Sequence, residues 1–239
     1  MIFSHEFKND LELINNELLN KKPFAFSKYA DGEYFILQNK PIRNIDNWFF
    51  DPNLDQRFMN MLRDSLAYKD DGYYVGISCP CCHKEAYDWF LQTVGSDYGN
   101  TTFANIFVNS NYPYYLDQLI PTFNTYGNIY LVCNGRSNKE KIKQKLNVTD
   151  FFGIGDEAFK TDLHLIDDLV NFVNQNNIKG ALFLFSAGPL GNVLAHKLWE
   201  NNKNNTYLDI GSTLNTLTDL NIRDYQSNGH YSNKTCIFQ

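Results

Sequence analysis

Ala181-Leu182-Phe183-Leu184-Phe185 is an uninterrupted apolar run that stops at Ser186-Ala187-Gly188-Pro189. A strand of a parallel sheet is covered by helices on both faces, so it reads as continuous apolar sequence rather than as alternation. Downstream, Leu190, Val193, Leu194 and Leu198 recur at helical spacing, and Thr206 to Ile210 reads as the next strand. Upstream, Leu163, Ile166, Val170 and Val173 mark one face of a helix. Before it come a strand at Thr149 to Ile154, a short basic helix around Lys139 to Leu146, and a strand at Asn128 to Cys133. Strands separated by helices of this length imply right-handed crossovers and a mainly parallel sheet flanked by helices on both faces.

The N-terminal half continues the alternation. Phe7, Leu11, Ile14 and Leu18 predict a helix, and Pro23 to Tyr29 a strand that runs into a loop at Asp31-Gly32-Glu33. Leu54, Phe58, Leu62 and Leu66 predict a second helix, then a strand at Tyr73 to Ser78, a cysteine-containing loop, and a helix from Lys84 to Val94. A strand at Thr102 to Val108 and a connection containing Tyr and Pro complete the half. No repeat, long linker or low-complexity segment interrupts the pattern. The expectation is one Rossmann-like α/β domain over residues 1–239, with an irregular tail from about Thr213.

Composition narrows the function. The chain has 239 residues, 43% of them hydrophobic, which is enough for a substantial core. With 21 Lys+Arg against 27 Asp+Glu the net charge is -6, which argues against nucleic acid or an anionic membrane surface as a partner. No apolar run approaches the roughly 18 residues of a membrane-spanning helix. Met1 to Asn20 is amphipathic and acid-containing, unlike a secretory leader, so the reading is a soluble, unprocessed, cytoplasmic protein. The odd count of five cysteines argues against a disulfide framework.

Open α/β sheets bind ligands beyond the carboxyl ends of their strands, which directs attention to the turns there. In Lys28-Tyr29-Ala30-Asp31-Gly32-Glu33, two carboxylates flank a glycine and offer hard oxygen ligands for Mg²⁺ or Mn²⁺; a solvated turn or helix cap fits the same residues. Ser186-Ala187-Gly188-Pro189 leads into a helix whose free N–H groups suit an anion, although Gly188 and Pro189 also serve simply to shape the turn. In Cys133-Asn134-Gly135-Arg136-Ser137, Arg136 offers a bidentate phosphate donor or is a surface arginine beside a cap. In Leu208-Asp209-Ile210-Gly211-Ser212, Asp209 either holds a sugar hydroxyl or caps the turn.

Two motifs invite over-reading. Gly153-Ile154-Gly155-Asp156-Glu157-Ala158 matches a dinucleotide fingerprint, but its two acids would face the pyrophosphate with like charge and Ser186 stands where the ribose-binding acid belongs. Cys79-Pro80-Cys81-Cys82-His83 lacks the paired spacing of a structural zinc site, with only Cys133 and Cys236 elsewhere, so reduced thiols in a loop are expected. Phosphate-loop and nucleophile-elbow motifs are absent.

Phe26-Ser27-Lys28-Tyr29-Ala30-Asp31-Gly32-Glu33-Tyr34 resembles the R-[FY]-G-D-G-E-[FY] motif of the GT-D glycosyltransferases, a Rossmann-like family first described as a domain of unknown function. The segment Leu184 to Leu198 and the later Tyr207-Leu208-Asp209-Ile210-Gly211 are similar to that family's C-terminal motifs, in the same order. Lys28 stands where the family usually has Arg, Ala30 replaces the first Gly, and Ser212 stands where His often follows. The resemblance implies that Asp31 and Glu33 hold Mn²⁺ or Mg²⁺ against the diphosphate of a nucleotide sugar, a UDP-sugar foremost, with a glycan or other hydroxyl compound as acceptor. Together with the strand-end turns, this makes Lys28, Gly32, Asn134, Gly135, Arg136, Ser186, Gly188, Pro189, Gly211 and Ser212 the expected substrate-binding residues. Asp209 is the expected catalytic carboxylate beside Asp31 and Glu33, with Asp156 and Glu85 as further candidates for the general base. The alternatives are a metal-dependent phosphoesterase acting on a sugar phosphate or nucleotide, and a non-catalytic nucleotide-sugar-binding module.

Overall fold

The computed structural model describes residues 1–227. Its strands are β1 (Ala25–Tyr29), β2 (Ile42–Arg43), β3 (Phe49–Phe50), β4 (Tyr73–Ile77), β5 (Thr101–Phe103), β6 (Ile129–Asn134), β7 (Asp150–Ile154), β8 (Leu182–Phe185) and β9 (Thr206–Asp209). Seven of them form one sheet in the order β5-β4-β1-β9-β8-β6-β7, and β2 pairs with β3 in a separate hairpin. Every pair in the large sheet is parallel, as the apolar run at β8 predicts.

Side chains alternate between two cores. Ala25, Tyr29, Phe183, Phe185 and Tyr207 face one core, shared with Leu37, Leu62, Leu169 and Leu194 from the helices Asp31–Leu37, Gln56–Ala67, Leu165–Gln175 and Pro189–Asn201. Phe24, Phe26, Leu182, Leu184 and Leu208 face the other, with Leu11 of the helix Phe7–Leu19, Leu119, and Ile142 of the helix Lys139–Lys143. The chain leaves β6 outward to β7 but leaves β8 inward to β9. Neighbouring strands whose connections depart in opposite directions open a crevice at their carboxyl ends, and that is where a ligand fits.

The structure departs from the sequence reading at several points. Asp31-Gly32-Glu33 is the first turn of the helix Asp31–Leu37 rather than a loop, because the Glu33 carboxylate accepts the Ala30 N–H at 2.9 Å and buried Tyr34, Ile36 and Leu37 anchor the helix. The strand expected over Thr102 to Val108 stops at Phe103, where Ala104 N–H still bonds Ile77 O at 2.7 Å but the Ile106 N–H turns back to Phe103 O at 3.1 Å. Ile106 and Phe107 therefore fill the core from a turn. The connection that follows is a succession of short helical turns, Asn109–Asn111, Tyr112–Tyr114, Tyr115–Leu119 and Ile120–Phe123. The cysteines open the helix Pro80–Thr93 instead of lying in a loop.

The tail expected from Thr213 is tied down over its described part. It forms the turns Gly211–Leu214, Asn215–Thr218 and Asp224–Gln226, and Gln226 Nε2 donates to Ser212 O at 2.9 Å. The remainder of that tail, with Cys236, lies outside the described residues. Among the described residues no helix is long and apolar enough to cross a membrane.

Candidate active site

A cleft of about 880 Å³ opens at the carboxyl ends of the strands. Lys28, Asp31, Gly32, Glu33, Asn134, Arg136, Ser186, Gly188, Pro189, Asp209, Gly211 and Ser212 all line it, so the strand-end turns separated in sequence meet in one place. Gly135 does not line it; its N–H donates to Ile154 O at 2.8 Å and serves the join between β6 and β7. Of the other candidate bases, Asp156 lines the cleft and Glu85 does not, the latter accepting the Tyr34 hydroxyl at 3.0 Å.

Asp31 is exposed and Glu33, two residues on in the same first turn of the helix, is buried. Burial raises the Glu33 carboxyl to a pKa of about 7; the Ala30 N–H opposes this, while the charges of Asp209 and Asp31 add to it. Hard oxygens whose ionised form is disfavoured by burial and, to a lesser degree, by like charge suit a divalent cation such as Mg²⁺ or Mn²⁺, because the cation offsets the penalty of ionising Glu33. The donor set at Asp31 and Glu33 thus fits the metal that the resemblance implies.

Asp209 joins two strand ends. Its Oδ2 accepts the Lys28 N–H at 3.2 Å and its Oδ1 accepts the Gly211 N–H at 3.0 Å. Burial raises its pKa, and the Lys28 charge and these two N–H groups hold it down. Gly211 has φ +54°, and a Cβ there would sit 2.6 Å from Lys28 Nζ, so the ammonium lies directly over this glycine. Ser186 Oγ donates to Gly211 O at 2.8 Å and Asn192 Nδ2 donates to Lys28 O, which locks the ends of β1, β8 and β9 together.

Gly188, at φ +53° and ψ -145°, is the N-cap of the helix Pro189–Asn201, a conformation glycine adopts without strain. That helix points its N-terminal end at the cleft, where partial positive charge favours an anion. On the β6 side, Arg136 pairs with Asp156, and Asn134 Nδ2 donates to the same oxygen of Asp156 at 2.6 Å. The fingerprint-like segment therefore supplies a carboxylate that holds Arg136. Gly153 lies inside β7, and the helix after it spans only Ala158–Thr161.

The structure adds residues that the sequence reading passed over. Trp48, from the β2–β3 hairpin, is 5% exposed and lines the cleft. A Cβ at Gly32 would be 3.3 Å from its six-membered ring, and one at Gly188 would be 3.6 Å from its Nε1, so the indole bridges two of the strand-end turns. Phe159 packs edge-on against it with ring centroids 5.7 Å apart. Arg223 pairs with Asp46, and Asn221 Nδ2 donates to Ile45 O at 2.9 Å, which clasps the hairpin to the C-terminal turns. The aromatic run Trp48-Phe49-Phe50 was the only local signal for this element.

No protein-family model matches the sequence, and no curated protein does. Solved structures do match in shape. A selenomethionine-substituted structure of domain of unknown function 1792 aligns with a TM-score of 0.57 at 14% identity, over 87% of this chain and 82% of that one. A second, of the same domain and described as having a distinct glycosyltransferase fold, aligns with TM-score 0.57 at 14% identity over 87% and 81%. A third, described as a new glycosyltransferase (DUF1792) from Streptococcus sanguinis, aligns with TM-score 0.57 at 16% identity over 85% and 80%. The chain therefore has the fold of the DUF1792 structures, an α/β glycosyltransferase fold built on a seven-stranded parallel sheet.

Proposed function

We propose that this protein is a glycosyltransferase that moves a sugar from a nucleoside-diphosphate sugar, a UDP-sugar foremost, to a hydroxyl of a glycan or other acceptor, with Mn²⁺ or Mg²⁺ held by Asp31 and Glu33. The observation that carries the reading is the convergence of the Asp31/Glu33 turn, the Lys28 ammonium over Gly211, and the Gly188 helix end on one cleft. Carboxylates, a fixed cation and a helix N-terminus together form a site for a charged diphosphate. The fold shared with structures described as glycosyltransferases supports the same assignment.

In this reading Lys28 and the N-terminal end of the helix Pro189–Asn201 draw in and orient the diphosphate. A divalent cation at Asp31 and Glu33 would supply the charge that stabilises the departing nucleoside diphosphate. Trp48 walls the cleft between Gly32 and Gly188 and shields the reacting groups from water. Arg136, held by Asp156 and Asn134, presents a charge at the β6 side. Asp209 has an N–H on each oxygen, so we give it a positioning role: it sets where Lys28 and Gly211 sit.

The deciding experiment measures melting shifts and sugar transfer with UDP- and GDP-sugars, with and without Mn²⁺, for the native chain and for Asp31→Asn and Glu33→Gln. Transfer that needs Mn²⁺ and drops in both variants supports the proposal. Unchanged transfer or donor hydrolysis in both variants overturns it. Phosphate release from simple esters without a nucleotide sugar would mark a phosphoesterase, and a metal-independent shift with UDP but no turnover a binding module.

A further inference from the structure

The thiols of the helix Pro80–Thr93 form a second cluster on the cleft. Cys79 is the N-cap of this helix, and Cys81 and Cys82 lie in its first turn. Their three Sγ atoms all lie within 4.8 Å of one another, the one such group of His, Cys, Asp or Glu ligand atoms among the described residues. Cys79 is buried and the other two are exposed. Cys79 Sγ and Cys81 Sγ approach to 2.9 Å, and Asn105 Nδ2 donates to both Cys79 Sγ and Cys82 Sγ at 3.3 Å. Cys79, Cys82 and Asn105 line the cleft.

The backbone brings these sulfurs together. The N–H groups of Cys82 and His83 both return to Cys79 O, at 3.2 and 3.0 Å, and His83 leaves helical geometry at φ -152°, ψ 82°. The chain thus folds Cys82 back towards Cys79, although no paired zinc spacing appears in the sequence. Sulfurs bound to one tetrahedral Zn²⁺ at ~2.3 Å stand about 3.8 Å apart, a separation that small side-chain rotations reach from the present cluster. An amide N–H donated to sulfur favours the thiolate, and the helix N-terminus does the same.

We propose that Cys79, Cys81 and Cys82 form a three-thiolate site for one thiophilic d¹⁰ cation, Zn²⁺, on the wall of the cleft. Binding displaces the thiol protons to solvent and leaves the cation's remaining position open to water or to a ligand in the cleft. The site is chemically distinct from the hard-oxygen pair at Asp31 and Glu33: soft sulfur selects Zn²⁺ where carboxylates suit Mg²⁺ and Mn²⁺.

The test uses the full chain, reduced, stripped of metal and kept under nitrogen. Zn²⁺ is titrated against a chromophoric chelator, and Co²⁺ is titrated with detection of sulfur-to-cobalt charge transfer in the near ultraviolet. One equivalent bound with that band is expected. Cys81→Ser combined with Cys82→Ser, both at exposed positions, should abolish the band and weaken Zn²⁺ binding by about 100-fold or more, with an unchanged melting curve in the absence of metal. Asp31→Asn with Glu33→Gln, and separately Cys133→Ser, should keep the band. Failure to bind an equivalent overturns the proposal, as does binding that survives the double serine variant and is lost in the carboxylate variant.

Discussion

The backbone N–H of Lys28 donates to Asp209 Oδ2 at 3.2 Å, joining residues 181 positions apart and fastening the carboxyl end of β1 to that of β9. The other oxygen of the same carboxylate takes the Gly211 N–H. One buried acid thereby aligns the backbone beneath the Lys28 ammonium. Asp209→Asn turns one acceptor into a donor against an N–H group, and a buried unsatisfied group costs about 1–3 kcal/mol, readable as a lower urea midpoint. As a positioning residue, its loss should raise KM for the donor and leave the pH profile of kcat in place; disappearance of the acidic limb of that profile would instead make Asp209 the general base.

Gly211→Ala tests the ammonium directly. Its φ of +54° disfavours any Cβ, and the new carbon would lie 2.6 Å from Lys28 Nζ. The flexible lysine end will move away, so we expect a stability loss of about 1 kcal/mol from backbone strain and UDP binding weakened by about tenfold through the lost charged contact. Gly127→Ala, with nothing within 4 Å of the added carbon, is the matched control and should change neither quantity. Equal UDP affinity in all three proteins would remove Lys28 from the binding site.

Glu33 makes stability depend on pH with a defined sign. Its folded pKa of about 7 lies above the ordinary 4.5, so the folded state holds the proton more tightly. Its contribution is fully present below about pH 4.5 and is lost as pH rises through 7, on the order of 3 kcal/mol in all. Glu33→Gln should therefore melt higher than the native chain at pH 8 while differing little at pH 4. Mn²⁺ should stabilise the native chain at pH 8 and have a smaller effect on the variant. A native chain and variant that respond alike to pH would contradict the burial of this carboxyl.

Trp48 provides an optical probe of the cleft. The chain has three tryptophans, and Trp48 lines the cleft whereas Trp89 and Trp199 do not. UDP with Mn²⁺ should quench emission in the native chain and in Trp89→Phe, and quenching should be absent in Trp48→Phe. Retained quenching in Trp48→Phe would place the nucleotide elsewhere. Gly32→Ala, whose Cβ would press on the indole at 3.3 Å, should shift the emission without ligand.

Fold class and the strand-end turns were legible in the chain because they rest on local pattern. The apolar run at Ala181 to Phe185, the helical spacing of Leu163, Ile166, Val170 and Val173, and the glycine turns each report on the faces that a short segment must bury. Edges were harder: β5 is shorter than its apolar sequence because Ile106 and Phe107 reach the core from a turn. The hairpin carrying Trp48 has strands of two residues each and too little sequence for a periodic signal.

Sequence by itself determined which residues stand at the strand ends, since a residue's place after an apolar run follows from its neighbours in the chain. Tertiary structure alone decided which of them meet and in what state. The pKa of Glu33, the paired N–H groups on Asp209, the Lys28 ammonium over Gly211 and the Trp48 wall all come from segments far apart in sequence. The cysteines convey the same lesson over a short span: their spacing argues against a metal, while the turn that returns the Cys82 and His83 N–H groups to Cys79 O gathers their sulfurs. Burial and charge proximity depend on distances in space, and no local pattern encodes those distances.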